Sequence, residues 1–245
     1  MLKGLLPFTS LRSYLNSGVQ AYLARDRKKF MIQNIYPRFW FILWIVAHTS
    51  VAETIIDKTE VSNEEYKVFQ AANPDYKLPK YWQEYRSKFF INSVAAKLAP
   101  FNKATFTKPK HPVVGVDWYM ATAYCNWKGK RLPSRKEWMQ FAGVADNRIW
   151  PWGNDWDYAK ANTGGEKWGE NDAYIYSAPV NSFQNGASPF GALNMAGNVA
   201  EWTADQFVVG GSSNSSPSGV SIKSKIKREP EYRSFDIGFR CILER

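Results

Sequence analysis

Residues 190–202 read Phe-Gly-Ala-Leu-Asn-Met-Ala-Gly-Asn-Val-Ala-Glu-Trp. The apolar and polar residues of this segment follow neither a helical nor a strand period. Because glycine and asparagine both tolerate left-handed backbone, the segment predicts a tight, irregular turn. Leu193 and Trp202 lie near its ends and are expected to anchor the turn in an apolar core.

An anchored turn of this kind directs several oxygen atoms towards one point. Backbone carbonyls and the carboxylate of Glu201 would converge there, and such a set of oxygen ligands suits a hard cation such as calcium. The alternative is a buried turn whose polar atoms satisfy each other. The residues alone leave both interpretations open.

Further motifs surround this turn in a fixed order. Gly-Gly-Ser follows at 210–212, and Gly-Phe-Arg-Cys closes the chain at 238–241. Upstream lie His-Pro-Val-Val-Gly-Val-Asp-Trp at 111–118, Ala-Tyr-Cys-Asn-Trp at 123–127 and Gly-Lys-Arg-Leu-Pro-Ser at 129–134. Together they resemble the formylglycine-generating enzyme, or sulfatase-modifying factor, family over residues 55–245.

The resemblance implies an α+β fold, a C-type-lectin-like variant with short strands and many loops. It also implies a disulfide between Cys125 and Cys241, because these positions are bridged in relatives. The alternative is a pair of buried free thiols. Two cysteines in total leave no third thiol, which agrees with a bridge.

Capping signals predict three helices. Ser62 with Glu65 three residues later forms a capping-box pattern before a helix that runs to about Ala72. Asp117 is expected to cap the next helix, and Ser134 with Glu137 to cap a third. Residues 74–110 show no clear period and predict loops with one short helix near 84–97.

Two calcium sites are expected from the resemblance. Each combines amide, carboxylate and backbone carbonyl oxygens, a mixture that suits calcium better than zinc. The first set is Asn162, Thr163, Asp172 and Tyr174, and the second is Asn194, Gly197, Val199 and Glu201. The alternative is that hydrogen bonds alone hold these turns.

The sequence departs from the family where its oxidase chemistry takes place. Family enzymes carry two cysteines just after Gly-Gly-Ser, which bind copper and convert a substrate cysteine to formylglycine. Here Ser215 occupies the first position and the second falls near Val220. Since thiolates are the ligands that Cu(I) prefers, a copper cofactor and classical formylglycine generation are not expected.

The segment after Gly-Gly is instead rich in serine and then basic. One interpretation of residues 212–224 is a flexible, solvated loop; the other is a rebuilt site for a different ligand, such as an anion. The residues expected to bind it are Ser212, Ser213, Ser216, Lys223, Lys225 and Arg228. Ser212 and Ser215 are candidate nucleophiles, but a serine needs a nearby base, and His111 is expected to be an ordinary loop residue.

The first 52 residues are predicted to be a leader. An apolar run at 39–47 is too short to span a bilayer comfortably, and Ser50-Val51-Ala52 follows it as a signal peptidase requires. Met31 is the expected true start, with cleavage after Ala52, a mature domain at 53–245 and export to the periplasm or the exterior. An uncleaved leader is the alternative to cleavage and the expected route to a membrane, and a membrane-associated segment at 1–30 is the alternative to a start at Met31.

The net charge of +10 gives little support to nucleic-acid binding. Residues 1–52 hold seven basic and one acidic residue, whereas the rest holds 25 basic and 21 acidic residues, so the excess belongs mostly to the leader. Two functions remain: a maturation or accessory factor for another protein or a metabolite, or a non-catalytic binding module on a rigid scaffold. The expected partner is a protein or a small molecule, with anionic molecules among the candidates.

Overall fold

The structure, a computed structural model, describes residues 54–76, 103–164 and 174–245. The predicted leader at 1–52, the helix expected near 84–97 and the calcium candidate Asp172 lie outside these residues. No helix in the described ranges is long and apolar enough to cross a bilayer.

Four α-helices occur in the described ranges, and three of them have the caps that the sequence predicts. These helices are α1 (Asn63–Ala72), α2 (Lys103–Phe106), α3 (Trp118–Trp127) and α4 (Arg135–Ala142). Ser62 and Glu65 form a complete capping box on α1, as do Ser134 and Glu137 on α4. The Asp117 side chain accepts a hydrogen bond from the Met120 amide and caps α3.

In the part of the chain that the structure describes, six short strands form two sheets. The strands are β1 (Thr54–Ile56), β2 (Ala200–Trp202), β3 (Phe207–Val209), β4 (Lys225–Lys227), β5 (Ile237–Gly238) and β6 (Ile242–Glu244). β1 pairs antiparallel with β6, placing Ile55 opposite Leu243. The second sheet has the order β4-β3-β2-β5; its β2–β5 pair is parallel and the other two pairs are antiparallel.

A disulfide closes the domain between α3 and the segment before β6. Cys125 and Cys241 are bonded, with their Cα atoms 5.6 Å apart across a sequence separation of 116 residues. The predicted bridge is therefore confirmed. Both cysteines are fully buried in a core that α1, α3, β2 and β5 share.

The serine-rich segment at 212–224 departs from the expected solvated loop. Ser212, Ser213, Val220 and Ile222 are buried, and residues Pro217–Val220 form a 3-10 helix whose cap is Ser216. The indole of Trp150 donates to the carbonyl of Pro217 at 2.9 Å. Apolar anchors at 220 and 222 therefore fix a segment whose composition predicted a solvated loop.

Candidate functional site

Glu201 lies in β2, where the 194–202 turn ends. Its carboxylate forms a buried ion pair with Arg240. Arg240 donates from Nε to Oε2 at 2.8 Å and from Nη2 to Oε1 at 2.7 Å. The Trp138 indole adds a third bond to Oε2 at 2.7 Å. Burial opposes the charged form of Arg240, but the Glu201 carboxylate raises the Arg240 pKa overall.

Glu201 was expected to be a calcium ligand, and in the structure its two oxygens accept hydrogen bonds from Arg240 and Trp138. An ion pair with two hydrogen bonds in the absence of solvent is a structural bond between β2 and the chain end. The Glu201 side chain therefore stabilises the scaffold around the candidate site.

The carboxylate that does meet the turn belongs to Glu60. Asn194 donates from Nδ2 to Glu60 Oε2 at 2.9 Å, and Asn198 donates to Oε1 at 2.7 Å. Both asparagines have left-handed backbone, with φ values of 56° and 61°, which aims their amides at the same acid. Burial raises the pKa of Glu60 to about 7, and the charge of Glu201 acts in the same direction.

The structure also joins the two predicted calcium sets. The carbonyl of Asn162 accepts from the Asn198 amide at 2.8 Å, and Asn162 Nδ2 donates to Asn198 Oδ1 at 3.1 Å. At Gly197, with φ of 83°, an added Cβ would lie 2.2 Å from the Asn162 carbonyl oxygen. Glycine is therefore required at this point of contact.

Two amide oxygens at this junction fit a hard cation. Asn162 Oδ1 and Asn194 Oδ1 are buried and have no hydrogen-bond partner among the described residues, and a buried unpaired oxygen is costly unless something binds it. Thr163 is buried beside Asn162, and Tyr174 is partly buried. No group of three or more His, Cys, Asp or Glu side chains suited to a metal occurs within the described ranges.

The buried part of the serine segment packs against the same junction. Ser213 donates its amide to the Asn198 carbonyl at 3.0 Å, and the Ser215 carbonyl accepts from the Gly164 amide at 2.9 Å. Three segments therefore contact each other at this junction: residues 162–164, 194–198 and 212–215. Sequence order alone places these three segments far apart.

Hydrogen bonds hold Ser212 and Ser215 in place. The Ser212 hydroxyl donates to Asp236 Oδ2 at 2.9 Å and accepts from the Asn214 amide at 3.2 Å. The Ser215 hydroxyl accepts from the Ser212 amide at 3.1 Å. His111 instead contacts the hydroxyl of Ser177 at 3.1 Å, and burial together with the charge of Lys108 lowers its pKa. The group that accepts from the Ser212 hydroxyl is therefore a carboxylate rather than this histidine.

Three of the remaining ligand candidates, Ser216, Lys223 and Lys225, are exposed. Arg228 is partly buried and stacks on the Tyr232 ring at 4.5 Å from its centroid. The predicted ligand set therefore divides into a buried pair, Ser212 and Ser213, and a mostly basic group near β4 that is exposed or partly exposed.

Glu60 and Asp236 were missed by the sequence analysis. Glu60 bonds to residues 134 and 138 positions away, and no local period marks it as buried. One available signal was its place directly before Val61-Ser62-Asn63, where an acid borders buried apolar residues. Asp236 gave no such signal.

Three features together define a lectin-like sulfatase-modifying factor domain. They are the buried asparagine–glycine turn, the disulfide and the α+β architecture with short strands. The family model for the sulfatase-modifying factor enzyme 1-like domain matches residues 45–245. The chain belongs to this family.

Two curated relatives and one solved structure illustrate the likeness. The formylglycine-generating enzyme of Bos taurus is 36% identical over 155 residues, which cover 55% of this chain and 39% of that protein. The inactive C-alpha-formylglycine-generating enzyme 2 of Bos taurus is 33% identical over 154 residues, covering 55% and 50%. This chain therefore spans half or less of the length of these relatives.

The structure of PvdO from Pseudomonas aeruginosa superposes with a TM-score of 0.61. The match covers 77% of this chain and 79% of that one at 23% sequence identity. This likeness shows that the two share the C-type-lectin-like variant fold.

Proposed function

We propose that this chain is an accessory or maturation factor that does not generate formylglycine. The observation that carries the proposal is the state of its cysteines: the chain has two, and both are used in the Cys125–Cys241 disulfide. Serine hydroxyls follow Gly-Gly, and such groups are protonated at neutral pH and poor ligands for Cu(I). The similarity to an inactive relative supports the same proposal.

A Cu(I) titration tests this loss of oxidase chemistry. The protein competes with a chromophoric Cu(I) chelator, and the bovine formylglycine-generating enzyme serves as the positive control. The chain is expected to leave the chelator complex intact. Stoichiometric removal of Cu(I) by this chain would contradict the proposal.

We also propose that the protein is exported to the periplasm or the exterior. The predicted leader and a fully buried disulfide support this, because disulfides persist in oxidising compartments. Sequencing of the exported protein is expected to find Glu53 at the N-terminus. A mature chain that starts at Met1 or Met31 would contradict the cleavage.

Calcium is proposed as a structural ion at the junction of residues 162–164 and 194–199. The unpartnered oxygens of Asn162 and Asn194 support it, together with the main-chain carbonyls expected from Thr163, Gly197 and Val199. Asp172 and the Tyr174 carbonyl complete the first expected set. A calcium ion bound there would compensate the partial negative charges of the oxygen ligands and make the junction more rigid. Glu60 and Glu201 hold the surrounding turns through hydrogen bonds.

The second candidate function is a non-catalytic module that binds a protein or small ligand. The observation that favours it is the group of exposed cations near β4, which includes Lys223 and Lys225. Measured turnover of any substrate would favour the accessory enzyme, whereas saturable binding without turnover would favour the module. Nucleic acid is not proposed as a ligand.

A further inference from the structure

The strand β4 forms one edge of the four-stranded sheet. Its three residues, Lys225, Ile226 and Lys227, are all exposed, and β3 is its neighbour on one side. Phe207 lies opposite Lys227, and Val209 lies opposite Lys225. These three β4 residues, with Phe207 and Arg135, are named here the β4 edge patch.

Three cations of the β4 edge patch surround the Phe207 ring. The Lys227 ammonium lies 5.0 Å from the ring centroid, and Lys225 and Arg135 each lie 5.7 Å from it. The nearby acid, Asp205, accepts a bond from the Arg135 backbone amide through its carboxylate. Three positively charged side chains therefore lie around the Phe207 ring, and Asp205 is the one nearby acid in these contacts.

These cations have no carboxylate partner. In the described part of the chain, Arg135, Lys223, Lys225, Lys227 and Arg228 form no ion pair. Elsewhere in the domain Lys130, Arg131 and Arg233 each pair with an acid. Like charges held close together repel, so an anionic partner would gain more here than at an ordinary surface lysine.

Within the described residues, β3 is the one strand that pairs with β4, so the outer side of β4 is unpaired there. Phe207 uses its carbonyl and amide to bond with Thr203, at 2.9 Å and 3.2 Å, on the side of β2. Because antiparallel pairing alternates, Val208 faces β4 and pairs with Ile226. The peptide groups of Lys225 and Lys227 therefore point to the free edge, where a further strand can pair.

We propose that the free edge of β4 binds an acidic segment of a partner polypeptide in extended conformation. This inference rests on the proposed accessory function and names the kind of partner that it would engage. Residues opposite Lys225 and Lys227 would lie on their face of the sheet, so acidic residues are favoured at alternate positions. The residue between them would meet Ile226, whose side chain is 51% exposed, and apolar residues are favoured there.

A second copy of this chain is a poor occupant of the same edge. Its own β4 would bring two further lysines against Lys225 and Lys227, and lysines on an edge strand oppose such self-pairing. Charge complementarity therefore selects an acidic partner of different sequence.

The test uses a labelled peptide in which glutamate alternates with valine, with binding followed by fluorescence anisotropy. The Lys225→Glu/Lys227→Glu variant is expected to bind about tenfold more weakly, because two favourable charge pairs become repulsive. The matched control is Lys67→Glu/Lys110→Glu, which changes two exposed lysines outside the patch and keeps the same net charge. The control is expected to bind like the wild type.

A second peptide separates strand pairing from charge alone. It keeps every side chain but carries an N-methyl group on each glutamate amide, because in this register the glutamate amides face Lys225 and Lys227 and are the donors needed for pairing. Binding at least about tenfold weaker than that of the unmethylated peptide is expected if main-chain bonds contribute. Equal affinity for both peptides, or equal loss of binding in both double variants, would overturn the proposal, as would tighter binding of single-stranded DNA.

Failure of this inference can be distinguished from failure of the proposed function. Lys225 and Lys227 lie outside the Gly-Gly-Ser segment, so peptide oxidation and peptide binding are independent readouts. Absence of binding together with absence of oxidation would overturn the edge proposal alone. Oxidation of a substrate cysteine would overturn the proposed function alone.

Discussion

Glu201 and Arg240 join β2 to the segment between β5 and β6 through a fully buried ion pair. Replacement of one partner leaves the other charge uncompensated in an apolar environment. Glu201→Gln is therefore expected to lower the free energy of unfolding by about 3 kcal/mol. Urea denaturation followed by tryptophan fluorescence measures this change.

Glu244→Gln is the matched control for that variant. Glu244 also pairs with an arginine, Arg131, but its side chain is 56% exposed, and exposed pairs contribute about 0–1 kcal/mol. Equal losses in the two variants would show that burial does not determine the strength of the Glu201 pair.

The residues around Glu201 also show where sequence reasoning fails. The composition of residues 194–202 correctly predicted a left-handed, buried turn, because that property is local to asparagine and glycine. The identity of the acid inside the turn depends on contacts across more than a hundred residues. No pattern in the neighbourhood of Glu60 records such a contact.

Among the elements, helix α4 combines a cap with a salt bridge. Glu137 completes the capping box and accepts hydrogen bonds from Arg131. The Arg131 guanidinium and the cap donors lower the pKa of Glu137 to about 2. Because this pKa is below the unfolded value, the charge of Glu137 stabilises the fold above about pH 4.5, and that contribution is lost as the pH falls towards 2.

Glu137→Gln tests this contribution, because glutamine can still complete the cap. We expect the variant to be less stable than the wild type by about 1 kcal/mol at pH 7, a value reduced for the partly exposed Arg131. The difference should disappear towards pH 2. A constant difference across pH 2–7 in thermal or urea unfolding would contradict the role of charge.

The elements that could be predicted from the sequence are those whose signals lie within a few consecutive residues. Helices α1, α3 and α4 follow from Ser62, Asp117 and Ser134, which bond to amides three residues away. The segment at 212–224 left two interpretations open because its many serines obscure two buried anchors, Val220 and Ile222. β4 was not predicted, since three exposed residues, Lys-Ile-Lys, are too short a run for their alternation to mark a strand.

For the whole domain, the Cys125–Cys241 disulfide closes a loop of more than 100 residues. In the chain-entropy model such a bridge stabilises by about 4–5 kcal/mol through the unfolded state. The Cys125→Ser/Cys241→Ser variant is expected to lose free energy of that order in guanidinium unfolding. A reductant should destabilise the wild type and leave the variant unaffected; indifference of the wild type to reduction would contradict the prediction.

Calcium is expected to stabilise the folded domain as a whole. An ion that binds only the folded state, at about a hundred times its Kd, adds about 2.7 kcal/mol, which raises Tm by roughly 5–10 °C for a domain of this size. Chelation should reverse the increase, and magnesium at equal ionic strength should not reproduce it. An unchanged Tm and no calcium in elemental analysis would contradict the proposed site.

The most direct measurement of the central proposal is aldehyde formation on a Cys-x-Pro-x-Arg peptide. The peptide is incubated with the purified protein, copper and oxygen, and the product is captured with a hydrazide and identified by mass spectrometry, with the bovine formylglycine-generating enzyme as the positive control. A chain whose two cysteines are both bridged is expected to give no aldehyde above the protein-free blank. Aldehyde that accumulates over repeated turnovers would contradict the account.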